Sequence, residues 1–196
     1  MIIIGLTGPT GAGKTAACDT FRRLGAGVIN ADATARKVTR KGMPVLQKLA
    51  EAFGDDILAG GELDRRLLAR RAFENKDNTE RLNSIIFPFI IEQLRQEIEA
   101  LKEFGYEVAV LDAPTLFESG CNTLCDVTLA ILSSSSLRLP RIIERDSLNE
   151  SDALVRMSAE KDQDFYKSRA QFILYNEGSL SELGKSIEDF YAKLKI

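Results

Sequence analysis

Near the start of the chain, Gly8-Pro9-Thr10-Gly11-Ala12-Gly13-Lys14-Thr15 fits the pattern G-x-x-x-x-G-K-[ST] at every fixed position. What flanks these residues turns the pattern into a constraint on the fold. Residues 1–6 are almost all apolar and include three consecutive isoleucines, as expected of a strand covered on both faces in a parallel sheet. Residues 14–24 have helical character and stop at Gly25. A strand, a glycine-rich turn and a helix in that order build a phosphate cradle. Glycines let successive N–H groups turn inward without a Cβ clash, and the helix N-terminus adds partial positive charge. Lys14 then reaches β- and γ-phosphate oxygens, and the Thr15 hydroxyl is a ligand for Mg²⁺. Nucleotide binding along the turn, through Ala16, is what this arrangement predicts.

The rest of the chain extends the same architecture. A short strand over 27–30 completes a β-loop-α-β unit, which implies a parallel sheet with helices on its faces. From 33 to 103 the strand signal vanishes. Apolar residues recur there at helical spacing, Val45, Leu46, Leu49 and Phe53, then Leu63, Leu67, Leu68 and Phe73. That stretch is too long for a simple crossover and predicts an inserted helical subdomain. The sheet resumes at 106–111 and 127–132. Ser133 to Ser136 offer N-caps for a helix that carries Arg138, Arg141 and Arg145, with Pro140 about one turn in. Asn149 with Asp152 opens a helix running to about residue 170, 172–175 is a last strand, and Ser179-x-x-Glu182 is a capping box for a C-terminal helix.

Composition narrows the chemistry. The 196 residues contain no histidine, which excludes a His-based triad, a His general base and nearly all mononuclear zinc hydrolase sites. Proton handling falls to carboxylates, lysine, tyrosine or cysteine. A net charge of −3 supplies no bulk field toward nucleic acid or an anionic membrane, so neither is an expected partner. Three cysteines, an odd number, occur without a secretory signal or a long apolar run, which places the protein in a reducing cytoplasm. Cys121-x3-Cys125 lacks the further Cys or His of a metal site and reads as free thiols. No Asn-Lys-x-Asp segment that would read guanine occurs, which favours an adenine nucleotide.

Several side chains carry two readings at this stage. Asp112 ends an apolar run and fits an acidic ligand of Mg²⁺ beside the loop, or a cap after a strand. Asp32 lies just past the second strand, where open α/β sheets bind ligands. It is either a base facing the γ-phosphate or the N-cap of a helix starting near Ala33. Arg141 and Arg145, four apart, share a helix face that either clamps the transferring phosphoryl or faces solvent. The arginines at 65, 66, 70, 71 and 81 concentrate charge in the insertion. Neighbours on a helix diverge, so not all of them can meet one anionic acceptor.

Taken together, the motifs resemble those of the dephospho-coenzyme A kinase family over essentially the whole chain. The likeness rests on residues 4–8 with Lys14-Thr15, Val28-Ile29-Asn30-Ala31-Asp32 with Ala35-Arg36-Lys37-Val38, Phe53-Gly54-Asp55-Asp56-Ile57-Leu58 and Gly61-Glu62-Leu63-Asp64-Arg65. It continues through Leu111-Asp112-Ala113-Pro114, Leu116-Phe117-Glu118-Ser119-Gly120, Arg145-Asp146 and Asn176-Glu177-Gly178-Ser179. The resemblance implies an α/β fold with a P-loop NTPase-type parallel sheet over 1–40, 104–132 and 171–196. It adds a helical acceptor-binding insertion over 41–103 and a helical lid over 133–170.

By the same likeness, ATP phosphorylates the ribose 3′-hydroxyl of dephospho-coenzyme A with Asp32 as base, and Lys14, Arg141 and Arg145 assist. Arg36, Leu63, Arg65, Pro114 and Leu116 join Asp32 at the acceptor, and Asn176 lies in a loop beside the adenine. Such an enzyme is a cytoplasmic monomer or weak homo-oligomer. The chain departs from the family's usual pattern at Asn30 (Asp), Phe87-Pro88-Phe89 (His-Pro-Leu), Thr115 (Leu), Glu160 (Gln) and Tyr175 (Asp). Another small-molecule P-loop kinase, acting on a nucleoside or nucleotide, and a non-catalytic ATP-binding regulator are the competing expectations.

Overall fold

In the computed structural model, which describes residues 1–194, the chain runs β1 (Ile2–Thr7), α1 (Lys14–Arg23), β2 (Gly27–Asn30), α2 (Ala31–Val38) and α3 (Val45–Phe53). It continues through β3 (Leu58–Ala59), β4 (Glu62–Leu63), α4 (Arg65–Ala72) and α5 (Lys76–Glu103). There follow β5 (Val108–Asp112), β6 (Val127–Leu132), α6 (Ser135–Asp146), α7 (Glu150–Ser158), α8 (Gln163–Lys167), β7 (Phe172–Tyr175) and α9 (Leu180–Leu194). Two compact units result. One comprises Met1–Ile29 with the chain from Ala100 onward, and the other Asn30–Glu99.

The first unit is organised around β1. Among the described residues its sheet has the order β2-β5-β1-β6-β7, and β5, β1, β6 and β7 run parallel. β1 lies in the middle, so the run of isoleucines has cover on both faces, and Ile4 and Leu6 are completely buried. Alternation along the strands divides the core. Ile4, Leu6, Val108, Val110, Leu129 and Ile131 face a layer built from Ala17, Cys18 and Phe21 of α1 and Leu183, Ile187, Phe190 and Tyr191 of α9. Phe21 meets the Phe190 ring edge-on at 6.4 Å. On the other face Ala130 and Leu132 pack with Tyr166, and Leu116 lies directly over Gly5, where a Cβ would come within 2.9 Å of it.

The segment expected as one helix from Asn149 to about residue 170 is two, α7 and α8. Asn149 caps α7 as expected by accepting the Asp152 amide, but Asp162 then accepts the Phe165 amide and starts a new helix. A local side-chain acceptor has outcompeted continuation of the backbone ladder. Pro140 is also deeper than expected, at the sixth residue of α6. The capping box at the head of α9 forms, with Glu182 accepting the Ser179 amide and Ser179 Oγ accepting the Glu182 amide.

The second unit is mainly helical, with a core of Val45, Leu49, Ala50, Phe53, Ile57, Leu68 and Ala72 against which Leu82, Ile85, Ile86 and Phe89 pack. Two expectations are corrected here. The strand signal does not vanish, because β3 and β4 form a small antiparallel hairpin joined by Gly60-Gly61, both left-handed at φ 60° and 82°. That is the two-residue turn that matches strand twist, and it needs no apolar alternation to form. Phe73, expected on the apolar face, lies at the C-cap of α4 and is 66% exposed. Among the described residues no helix is long and apolar enough to cross a membrane.

Candidate active site

The turn between β1 and α1 leaves no room for a Cβ at Gly8 or Gly13. Gly8 has φ +137°, and a Cβ there would lie 2.1 Å from the Ile131 carbonyl oxygen of β6. Gly13 has φ +109°, and its Cβ would lie 2.4 Å from Asn176 Nδ2. Gly13 is the N-cap of α1, no side chain caps it, and the first turn carries no acid. The helix thus presents uncompensated N–H groups and the positive end of its dipole. Lys14 Nζ donates to the Gly8 and Pro9 carbonyls at 2.7 and 3.1 Å. Burial pushes its pKa below the ordinary lysine value, while the carboxylates of Asp112 and Glu160 pull it back up.

Around the cradle, α6 supplies arginines whose spacing of three and four residues brings them to one face. Arg138 Nε donates to the Thr10 carbonyl at 2.7 Å and its guanidinium pairs with Glu160. Glu160 in turn accepts the Thr10 amide at 2.7 Å. Arg141 reaches the Gly11 carbonyl at 3.4 Å and Ser133 Oγ at 3.2 Å. The Arg141 side chain thus faces the loop. Arg145 instead holds Asp146 through two hydrogen bonds, and Arg156 shares the same carboxylate. Its charge is still felt at Lys14.

Asn176 is almost fully buried and donates to the Ala12 carbonyl at 2.8 Å, so its side chain supports the loop. Spacing along α6 is the one signal for Arg138, to which the sequence alone assigns no role. For Glu160, more than 140 residues away in sequence, no local pattern indicates that it reaches Thr10.

Thr15 is exposed at the head of α1, and Asp112 ends β5 with its charge acting on Lys14. A hydroxyl and a carboxylate are hard oxygen donors suited to Mg²⁺, which keeps several waters and phosphate oxygens rather than demanding a protein cage. The cysteines are free thiols, and burial drives the pKa of Cys18 and Cys125 up to about 12, so none is a ready nucleophile.

Of the expected acceptor residues, Pro114 is half-buried and its carbonyl accepts the Thr7 hydroxyl at 3.1 Å. Leu116 corrects its expectation. At 0% exposure it has no surface to offer a ligand and is a core residue filling the space above Gly5. In the helical unit Asn30, not Asp32, caps α2, accepting the Ala33 amide at 2.8 Å. Asp32 is exposed in the first turn, and Arg36 is exposed one helical turn on. Arg65 donates to Thr39 Oγ1 at 2.8 Å and leans on the Arg36 carbonyl, while Leu63 packs on the unit's core. Thr34 and Lys37 both bind Glu97, which fixes α2 on α5.

Comparison with known proteins places this geometry in one family. The dephospho-CoA kinase family model matches residues 2–182. A dephospho-CoA kinase of Corynebacterium diphtheriae is 38% identical over 194 residues, 98% of this chain and 97% of that protein. One from Syntrophotalea carbinolica is 35% identical over 195 residues, 99% and 92% of the two. A solved Thermus thermophilus structure superposes with a TM-score of 0.80 at 30% identity, covering 98% of this chain and 97% of that one. The chain belongs to the dephospho-CoA kinase family.

Proposed function

We propose that this protein transfers the γ-phosphoryl group of ATP to the ribose 3′-hydroxyl of dephospho-coenzyme A, giving coenzyme A and ADP. The observation that carries the reading is the cradle itself. A glycine-built turn, an uncapped helix N-terminus and the side chains of Lys14 and Arg141 lie together at one loop, within a chain of this family. Phosphoryl transfer asks chiefly for positioning and charge neutralisation, which these groups supply without an imidazole.

Each remaining side chain has a role in this scheme. Residues 8–16 hold the triphosphate, with Asn176 fixing the loop next to the adenine. Lys14, Arg141 and Arg145 offset charge on the transferring group. For Arg145 this means releasing Asp146, whose bond to Arg156 leaves that carboxylate with a partner. Thr15 and Asp112 would hold Mg²⁺, which when bound neutralises β- and γ-phosphate charge. Asp32 accepts the acceptor's hydroxyl proton, and Arg36, Arg65 and Pro114 orient the acceptor. Residues 41–103 form the acceptor-binding part and 133–170 the lid. A cytoplasmic monomer or weak homo-oligomer completes the reading, and a net charge of −3 supports the expectation that it binds no nucleic acid.

Incubation with Mg²⁺, ATP and dephospho-coenzyme A should yield coenzyme A and ADP in equal amounts. Phosphorylation of a nucleoside or nucleotide in its place would make the protein a different P-loop kinase. Tight ATP binding with no product from either acceptor class would make it a regulator.

A further inference from the structure

The two successive peptide units that meet at Thr10 are each held by one member of a single ion pair. Glu160 Oε1 accepts the Thr10 N–H at 2.7 Å, Arg138 Nε donates to the Thr10 carbonyl at 2.7 Å, and the two side chains are bonded to each other. Their side chains are 7% and 18% exposed, so neither charge is screened by bulk water. Thr10 immediately precedes Gly11, Ala12 and Gly13; the bond to its carbonyl fixes the plane that carries the Gly11 amide, and the bond to its N–H fixes the plane before it. Both partners come from 133–170, Arg138 from α6 and Glu160 from the turn after α7. Glu160 also acts electrostatically on Lys14 and Arg145.

The geometry points to Arg138 and Glu160 as a positioning pair that sets the phosphate loop for ATP, with the arginine masking a carboxylate that would otherwise repel the triphosphate. Neither residue touches the reacting atoms. They act through their bonds to Thr10 and through the balance of their own charges. The inference rests on ATP being the ligand of the loop, and it is independent of the acceptor's identity. It also gives physical content to the departure at Glu160. A carboxylate is tolerable beside a triphosphate site because Arg138 is buried against it.

The test is a charge-balancing double substitution read by direct titration of MgATP, with thermal unfolding as a check on folding. Arg138→Gln leaves the Glu160 carboxylate unmasked, and MgATP affinity should fall about 10-fold or more, the scale of a like charge at close range in a partly buried site. Arg138→Gln with Glu160→Gln removes both charges. The carboxamide introduced at position 160 still accepts the Thr10 amide, and the one introduced at position 138 still donates to the Thr10 carbonyl. Affinity should recover to within about threefold of the parent, a reversal that loss of packing alone would not produce.

In the steady state, KM for ATP should shift in Arg138→Gln while KM for dephospho-coenzyme A stays put. A double variant no tighter than the single one, or a single variant with parental affinity, overturns the proposal. If Arg138→Gln does not fold, Arg138→Lys serves. It keeps the charge but lacks the fork that spans Thr10 and Glu160, so kcat should fall at least fivefold, and an unchanged kcat overturns the proposal. An error in the acceptor assignment would show differently, as a parent protein that binds MgATP and makes no coenzyme A while the titration series still reports on the pair.

Discussion

Asn30 Oδ1 accepts the Ala33 amide at 2.8 Å, so the N-cap of α2 is Asn30 and not Asp32. Sequence alone leaves Asp32 suspended between helix cap and catalytic base. With the cap supplied by Asn30, Asp32 is exposed in the first turn of α2. The same cap also shows why Asn in place of the family's usual Asp is harmless to the helix, since the two are equivalent N-caps.

Asp32→Asn should therefore leave melting temperature and MgATP affinity unchanged and lower kcat by about 10²-fold or more, the scale of a positioned general base. Asn30→Ala should do the opposite, costing about 1 kcal/mol of stability with turnover largely kept. Paired unfolding and steady-state measurements check both. Parental turnover in Asp32→Asn would remove it from the chemistry.

Asp112 ends β5, and its charge is the largest that opposes the effect of burial on Lys14. Asp112→Asn should raise the Mg²⁺ concentration needed for half-maximal activity about tenfold, because a hard anionic donor becomes a neutral one. Varying Mg²⁺ at saturating ATP measures this. An unchanged Mg²⁺ requirement would return Asp112 to the role of a strand-end cap.

Two glycines with positive φ separate conformational strain from collision. Gly60, at φ +60° with no atom within 4 Å of where a Cβ would stand, should tolerate Ala at a cost of about 1–2 kcal/mol, the penalty for a left-handed residue. Gly8, at φ +137° with the Ile131 carbonyl 2.1 Å from such a Cβ, adds a backbone clash to a glycine-only conformation, and Gly8→Ala should cost more than about 3 kcal/mol. Chemical denaturation of the two variants gives the comparison, and equal costs would mean that β6 does not press on the loop.

The legibility of this molecule in its sequence follows the range of the interactions involved. The P-loop, the buried β1 and the capping box Ser179 to Glu182 are set by neighbours in the chain, and all three stand where the pattern puts them. The Gly60-Gly61 hairpin escapes the pattern because two-residue strands are too short to alternate. The break between α7 and α8 escapes it because the Asp162 cap competes with helical periodicity rather than interrupting it. Leu116 reads as part of an acceptor motif, yet it packs on Gly5, more than 100 residues earlier, a contact that only the sheet creates. The grip on Thr10 is of the same long-range kind.

Cys18 provides a test of the core beneath the phosphate loop. It lies 3% exposed between α1 and the sheet, and burial raises its pKa from 9.0 to about 12, with the Asp112 charge adding to the effect. Folded-state pKa above unfolded-state pKa means that the unfolded chain releases the thiol proton first. The stabilisation is whole below pH 9.0 and is lost progressively as pH rises from there toward about 12. Wild-type unfolding free energy should thus decline above pH 9.0, with this thiol contributing up to about 1.4 kcal/mol per pH unit. Cys18→Ala keeps a small apolar side chain at the site and removes the titration, so its stability should fall less steeply over pH 9–11 even where its absolute stability is lower. Urea unfolding at half-unit pH steps measures the two slopes. Identical slopes would mean that Cys18 ionises as readily in the folded protein as in the unfolded one, and that the layer between α1 and β1 admits water.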